Sequence, residues 1–231
     1  MRAVCGRFYR SAMTNTTPIA QDERQTSRTW LRIFALVYDP FLWLGELAGL
    51  RRRRRALLST ARGRVVEIGA GTGLNTALYP DGLTELILTE PDAAMRNKLE
   101  RRLARNGRDA RIVDAPAECL PVADASVDTV VSTLVLCTVP DVERTLHEIA
   151  RVLRPGGRLL FIEHVRAKSR LLGWVQDSLF EPWRSFACGC CCNRPTTVLL
   201  RACGFHVETD EARWHGMPAI VRPLIVGWAS R

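Results

Sequence analysis

Residues 64–75, RVVEIGAGTGLN, run from a β-branched stretch straight into Gly69-Ala70-Gly71-Thr72-Gly73. Val65, Val66 and Ile68 carry the pattern of a strand buried on both faces. The glycines after it let the backbone turn sharply and approach a ligand with no Cβ in the way. A helix is expected to follow, its first N–H groups facing that ligand. The spacing is Gly-x-Gly-x-Gly, not the Gly-x-Gly-x-x-Gly of dinucleotide folds, which argues against an NAD oxidoreductase. One acid, Glu67, stands two residues before the first glycine. A second, Glu90, closes the apolar run Leu86-Ile87-Leu88-Thr89 at the distance of a ribose-binding carboxylate.

These residues together resemble the cofactor site of class I S-adenosylmethionine-dependent methyltransferases. The pattern of elements agrees. Strands are expected at Thr84–Thr89, Ala110–Val113, Val127–Ser132 and Arg158–Glu163. A helix capped by Asp92 and ended by Gly107 falls between the first two, and a helix opened by Pro140-Asp141 precedes the last. Residues 194–203 read as a further helix closed by Gly204, followed by strands at Phe205–Glu211 and Ala219–Trp228. The expected fold class is therefore α/β, a Rossmann-like seven-stranded, mostly parallel sheet with helices on both faces and an antiparallel C-terminal edge strand.

Three regions flank or interrupt this core (residues 63–231). Residues 1–29 read as a disordered tail and residues 30–62 as a helical lid, split in two at Asp39-Pro40. Residues 165–193 are a substrate-side insertion after the fifth strand. In the lid, Arg51–Arg55 wrap most of the way round a helix, so at least one arginine must turn inward and pair. The lid either covers the cofactor cleft or touches an anionic membrane, with Trp30, Phe34, Phe41 and Trp43 dipping in. The net charge of +9 favours acidic surfaces, yet Lys98 and Lys168 are the only lysines, as an arginine-rich coding background would give. A nucleic-acid methyltransferase draws on that charge alone, without aromatic–basic alternation, and nucleic acid is not an expected partner. No apolar run reads as long enough to span a membrane. With eight cysteines and no apolar signal core, reduced thiols and a cytoplasmic protein, peripheral to the membrane in the second reading, are expected.

The resemblance implies S-adenosyl-L-methionine as cofactor and assigns its contacts. Glu67 with Gly69, Ala70, Gly71 and Gly73 would hold the methionine part, the amino group by charge and the carboxylate by backbone donors. Glu90, followed by Pro91, would bind the ribose hydroxyls. Ala117-Glu118-Cys119-Leu120-Pro121 matches the adenine segment, but Pro116 stands where the family has aspartate, leaving Glu118 or Asp114 as acceptor. Thr133 and Leu134 follow the fourth strand and complete the cofactor side. Cys137 and His164 are the catalytic candidates at the cleft, His164 as general base. No metal is expected: the sulfurs of Cys188–Cys192 cannot all turn onto one ion, and no second Cys/His cluster is apparent in the sequence.

Leu134-Val135-Leu136-Cys137, Leu153-Arg154-Pro155-Gly156-Gly157, Glu163-His164-Val165 and Glu181-Pro182-Trp183 leading to a Gly-Cys turn and Arg194 sharpen the resemblance. They are similar to a subgroup of type 11 methyltransferases that includes animal enzymes methylating small alkyl thiols at membranes. That resemblance implies a small, apolar acceptor, thiol first and a lipid or quinone second. A non-catalytic interaction protein would have little reason to keep Glu67, the glycines and Glu90.

Overall fold

The computed structural model describes residues 28–231. The expected disordered tail, up to residue 27, lies outside the described residues. The sheet region runs β1 (Arg64–Ile68), β2 (Glu85–Thr89), α3 (Ala93–Asn106), β3 (Arg111–Val113), β4 (Val127–Thr133), α4 (Val142–Val152) and β5 (Leu153–His164). After β5 come α5 (Arg170–Ser178), α6 (Phe180–Phe186), α7 (Thr196–Ala202), β6 (His206–Arg213) and β7 (Pro223–Ser230). The sheet order is β3-β2-β1-β4-β5-β7-β6. All pairings from β3 to β5 are parallel, while β7 runs antiparallel to both β5 and β6. The C-terminal strand therefore slots between β5 and β6, and β6 forms the rim.

Alternation along each strand divides the core into two layers. Val65, Leu86, Leu88, Leu160 and Ile162 point to the layer shared with Leu58 and with Leu99 of α3. Val66, Ile87, Val130, Leu159 and Phe161 point to the other, against Leu146 and Ile149 of α4 and Leu200 of α7. Local signals set the helix ends: the Asp92 and Asp141 carboxylates accept from the N–H groups of Met95 and Arg144, and Gly107 turns left-handed at φ 61°.

The N-terminal segment departs from expectation. Helix α1 (Arg28–Gly45) runs on through Pro40, then passes through a π-turn (Glu46–Leu50) into α2 (Arg51–Leu58). The break falls at Gly49, whose φ of 121° suits glycine. Proline is tolerated because the carbonyls its ring disturbs have another donor: Lys98 Nζ, from α3, reaches the Ala35 carbonyl at 2.6 Å and that of Leu36 at 3.5 Å. Asp39 is clamped as well, accepting from Thr72 Oγ1 (2.6 Å) and Arg102 Nη2 (2.8 Å). Because α1 does not break at Pro40, its two apolar stretches become one. The helix Thr29–Leu58 contains an 18-residue window of mean hydropathy 1.4, long and apolar enough by composition to cross a membrane, contrary to the sequence reading.

A second correction concerns the chain after the glycine loop. No helix follows; residues 73–78 form successive turns, with Thr76 N–H donating to the Gly73 carbonyl and Leu78 N–H to that of Asn75. Asn75 is turned into the protein, and Pro80 disfavours helix at Tyr79.

Candidate active site

The cleft lies beyond the C-terminal ends of β1, β2, β4 and β5, where a parallel sheet leaves loops free to converge. A cavity of about 400 Å³ opens there. One end is walled by Gly69, Gly71, Glu90, Pro91, Pro116, Ala117 and Glu118; the other by Cys137, His164, Trp183, Cys190 and Trp214. Leu31, Phe34, Tyr38 and Phe41 of α1 cover it, and Trp183 and Phe186 of α6 face them. The two walls meet through Phe186, whose ring lies 6.0 Å from Trp30, 6.2 Å from Phe41 and 5.8 Å from Trp183.

At the glycine end, Glu90 holds the loop. Its carboxylate accepts from the N–H groups of Gly71 (2.8 Å) and Asp92 (2.9 Å), and burial pushes its pKa up. The amides of Ala70 and Gly73 also bond within the protein, to the carbonyls of Thr89 and Ala70. Three of the loop's amides, those of Ala70, Gly71 and Gly73, are thus engaged within the protein. Asp114 pairs with Arg96 at 3.0 Å, and Glu118 is the acid that lines the cavity near Pro116.

Behind the loop is a polar annex with about 20 Å³ of free space, lined by Tyr38, Arg54, Glu67, Asn75 and Thr133 among others. Glu67 accepts from Asn75 Nδ2 and from the Tyr79 hydroxyl, both at 2.7 Å. Asn75 also donates to Thr133 Oγ1 (2.9 Å). Arg54, only 3 % exposed, donates to Asn75 Oδ1 (3.1 Å), Thr133 Oγ1 (2.8 Å) and Glu46 (3.0 Å). It is the inward arginine that the run of five required, and as a candidate site residue it was missed. The run told that one arginine must be buried; its neighbours were not visible in sequence.

Burial raises the Glu67 pKa to about 7, with the Tyr79 and Asn75 hydrogen bonds opposing. A raised carboxyl pKa means that the folded state holds its proton longer than the unfolded chain. Glu67's stabilising share is therefore full below about pH 4.5 and lost as pH rises through about 7. Buried His164 works the other way, its pKa lowered to about 4 by burial, so its share is lost as pH falls below about 6.5. The Glu67→Gln variant isolates the first effect. Its stability relative to the parent, from chemical denaturation, is expected to rise by roughly 3 kcal/mol between pH 4.5 and 7.5. A parent–variant difference that stays flat with pH would refute this.

At the other end, Glu163 is fully buried and organises the loop after β4. Its Oε1 accepts from Ser132 Oγ (2.6 Å), Val135 N–H (3.0 Å) and Leu136 N–H (3.0 Å), and its Oε2 from Cys137 N–H (3.2 Å). Leu134, at φ 63°, is held left-handed at the start of this loop and lines the cavity. Cys137 is buried, 3.9 Å from Cys190 (Sγ to Sγ), and that contact, with burial second, raises its pKa. His164 stacks on Trp214 with centroids 5.5 Å apart. Every cofactor and catalytic candidate except Ala70, Gly73, Glu67 and Thr133 lines the large cavity; Glu67, Ala70 and Thr133 line the annex, and Gly73 lines neither.

The family described as "Methyltransferase domain" matches residues 66–161. Thiol S-methyltransferase TMT1B of Homo sapiens is 40% identical over 176 residues, covering 74% of this chain and 70% of that protein. The chain belongs to the S-adenosylmethionine-dependent methyltransferases. Thiol S-methyltransferase TMT1A of Homo sapiens is 34% identical over 177 residues, again covering 70% of its length. A solved SAM-dependent methyltransferase from Thermotoga maritima, described as a possible histamine N-methyltransferase, shares the fold at TM-score 0.65 with 23% identity, covering 87% of this chain and 98% of that one. The cofactor of this methyltransferase is S-adenosylmethionine, and its acceptor is a small molecule.

Proposed function

We propose that this methyltransferase transfers the cofactor's methyl group to the sulfur of a small, apolar thiol. The observation that carries the reading is the single cavity joining the glycine loop and Glu90 to an apolar chamber under α1 and α6. Identity of 40% to a thiol S-methyltransferase supports it. In this reading Arg54 and Glu67 meet the charged methionine end, Glu90 the ribose, and the Pro116–Glu118 edge the adenine. The acceptor sits between α1 and the 165–193 segment. A thiolate attacks the sulfonium methyl; the new S–CH₃ bond forms as the old one breaks, releasing S-adenosylhomocysteine. The chain's contribution is in-line placement and exclusion of water. His164, held neutral, is poorly suited to take up a proton near pH 7.

The outer face of the N-terminal segment, where Leu36, Trp43, Leu44 and Leu47 are exposed beside Arg51 and Arg52, supports a peripheral contact with an anionic membrane that would deliver apolar acceptors. The test is methyl transfer from labelled cofactor to alkyl thiols, quinols, phospholipids and RNA, with anionic vesicles present or absent. Thiols are expected to be methylated and the protein to co-sediment with the vesicles. Trp183→Ala should raise KM for the thiol several-fold and leave cofactor affinity unchanged. Transfer to quinol or phospholipid without transfer to thiol would overturn the acceptor class; protein left in solution would overturn the membrane contact.

A further inference from the structure

Cys137, His164 and Cys190 come from three separate segments: the loop after β4, the last residue of β5, and the loop after α6. Their side chains are buried, and their donor atoms all lie within 4.8 Å of one another. The two sulfurs are 3.9 Å apart. Two thiolates on one tetrahedral zinc, at about 2.3 Å each, sit about 3.8 Å apart. The His164 imidazole sits against the Val221 and Pro223 backbone, while its buried Nδ1 makes no hydrogen bond of good geometry among the described residues.

We propose that Cys137, His164 and Cys190 bind a zinc ion whose fourth position opens into the cavity and takes the acceptor's sulfur. Two thiolates and one imidazole with one open position form the donor set of a catalytic rather than a structural zinc site. All three residues line the same cavity as Glu90 and the glycine loop, so a sulfur held there shares the chamber with the cofactor. This inference rests on the thiol reading and deepens it. A zinc-bound hydroxide takes the proton of the entering thiol and leaves as water, while the sulfur takes its place on the metal as thiolate. The sulfur then forms its bond to the methyl carbon as the carbon–sulfonium bond breaks. The neutral thioether is a weak ligand and gives way to water, which restores the hydroxide by losing a proton to solvent.

The test uses the full chain, purified under a phosphine reductant. Elemental analysis is expected to find one zinc per chain, retained in Cys191→Ser and lost in Cys137→Ser and Cys190→Ser. Cobalt(II) added to zinc-stripped protein should give the intense visible bands of a tetrahedral site with thiolate-to-metal charge transfer. Those bands should move when an alkyl thiol is added and vanish in Cys190→Ser. Cofactor binding by calorimetry checks that each variant is folded. Should Cys190→Ser fail that check, Cys190→His supplies a replacement ligand and is expected to keep cobalt with altered band energies. Protein without stoichiometric zinc whose added cobalt shows only the weak spectrum of the hydrated ion would overturn the site. So would a Cys137–Cys190 disulfide in the isolated protein, or cobalt bands that survive Cys190→Ser. Thiol methylation undiminished in such metal-free protein would leave the acceptor reading standing and the zinc site refuted; transfer to no thiol, with zinc bound, would do the reverse.

Discussion

Glu163→Ala is expected to cost on the order of 3–5 kcal/mol of stability and to abolish turnover. The carboxylate accepts four donors from one stretch of chain, the Ser132 hydroxyl and the N–H groups of Val135, Leu136 and Cys137, at 2.6 to 3.2 Å. Three of the four bonds are buried and that of Val135 is partly so, which leaves water little room to replace the lost acceptor. An unsatisfied buried donor costs about 1–3 kcal/mol, and the loop can relax to satisfy some but not all of them. The same loop holds Leu134 at positive φ and carries Cys137, so its collapse disturbs the cavity floor as well as the fold. Glu163→Gln keeps one carbonyl oxygen where three donors converge and should recover about half the loss. Urea denaturation and single-turnover methylation measure both effects. An alanine variant with an unchanged midpoint would show that Glu163 does not support the loop.

Gly71→Val is expected to weaken cofactor binding by more than a hundredfold while leaving a folded protein. Gly71 sits at φ 55°, and a Cβ added there meets only the Gly69 carbonyl, at 3.9 Å. The neighbouring glycines differ: a Cβ at Gly69 would meet Val135 at 2.8 Å, and one at Gly73 would meet Leu99 at 2.7 Å. At Gly71 the protein itself leaves room, so a side chain would enter space bordering the cavity and the annex. A β-branched residue also resists a left-handed φ, pulling the Gly71 N–H away from Glu90. Calorimetric titration with S-adenosylmethionine and its demethylated product is the measurement. Parent-like affinity in a folded Gly71→Val variant would move the cofactor away from this loop.

What the sequence by itself determined was whatever local chemistry writes within a few residues. The β-branched runs set the strands. Asp92, Asp141 and Gly107 set helix ends through caps that act within three residues. Glu67, the glycine spacing and Glu90 pointed to the C-terminal ends of β1 and β2, where the cavity and its annex open. Even the inward turn of one arginine in Arg51–Arg55 followed from helical period alone. Tertiary structure decided the features whose partners lie far along the chain. Pro40 failed to break α1 because Lys98, 58 residues later, reached the Ala35 and Leu36 carbonyls and Arg102 clamped Asp39. The helix expected after Gly73 gave way to turns because Asn75 found Glu67, Arg54 and Thr133 in the interior. The loop after β4 took its shape from Glu163, and Cys137 met His164 and Cys190 only once three strand and helix ends had been brought to one side of the sheet. Neighbours in sequence interact whatever the fold; contacts across tens of residues exist only after the chain has paid the entropy of closing those loops, and only the assembled sheet does that for all of them at once.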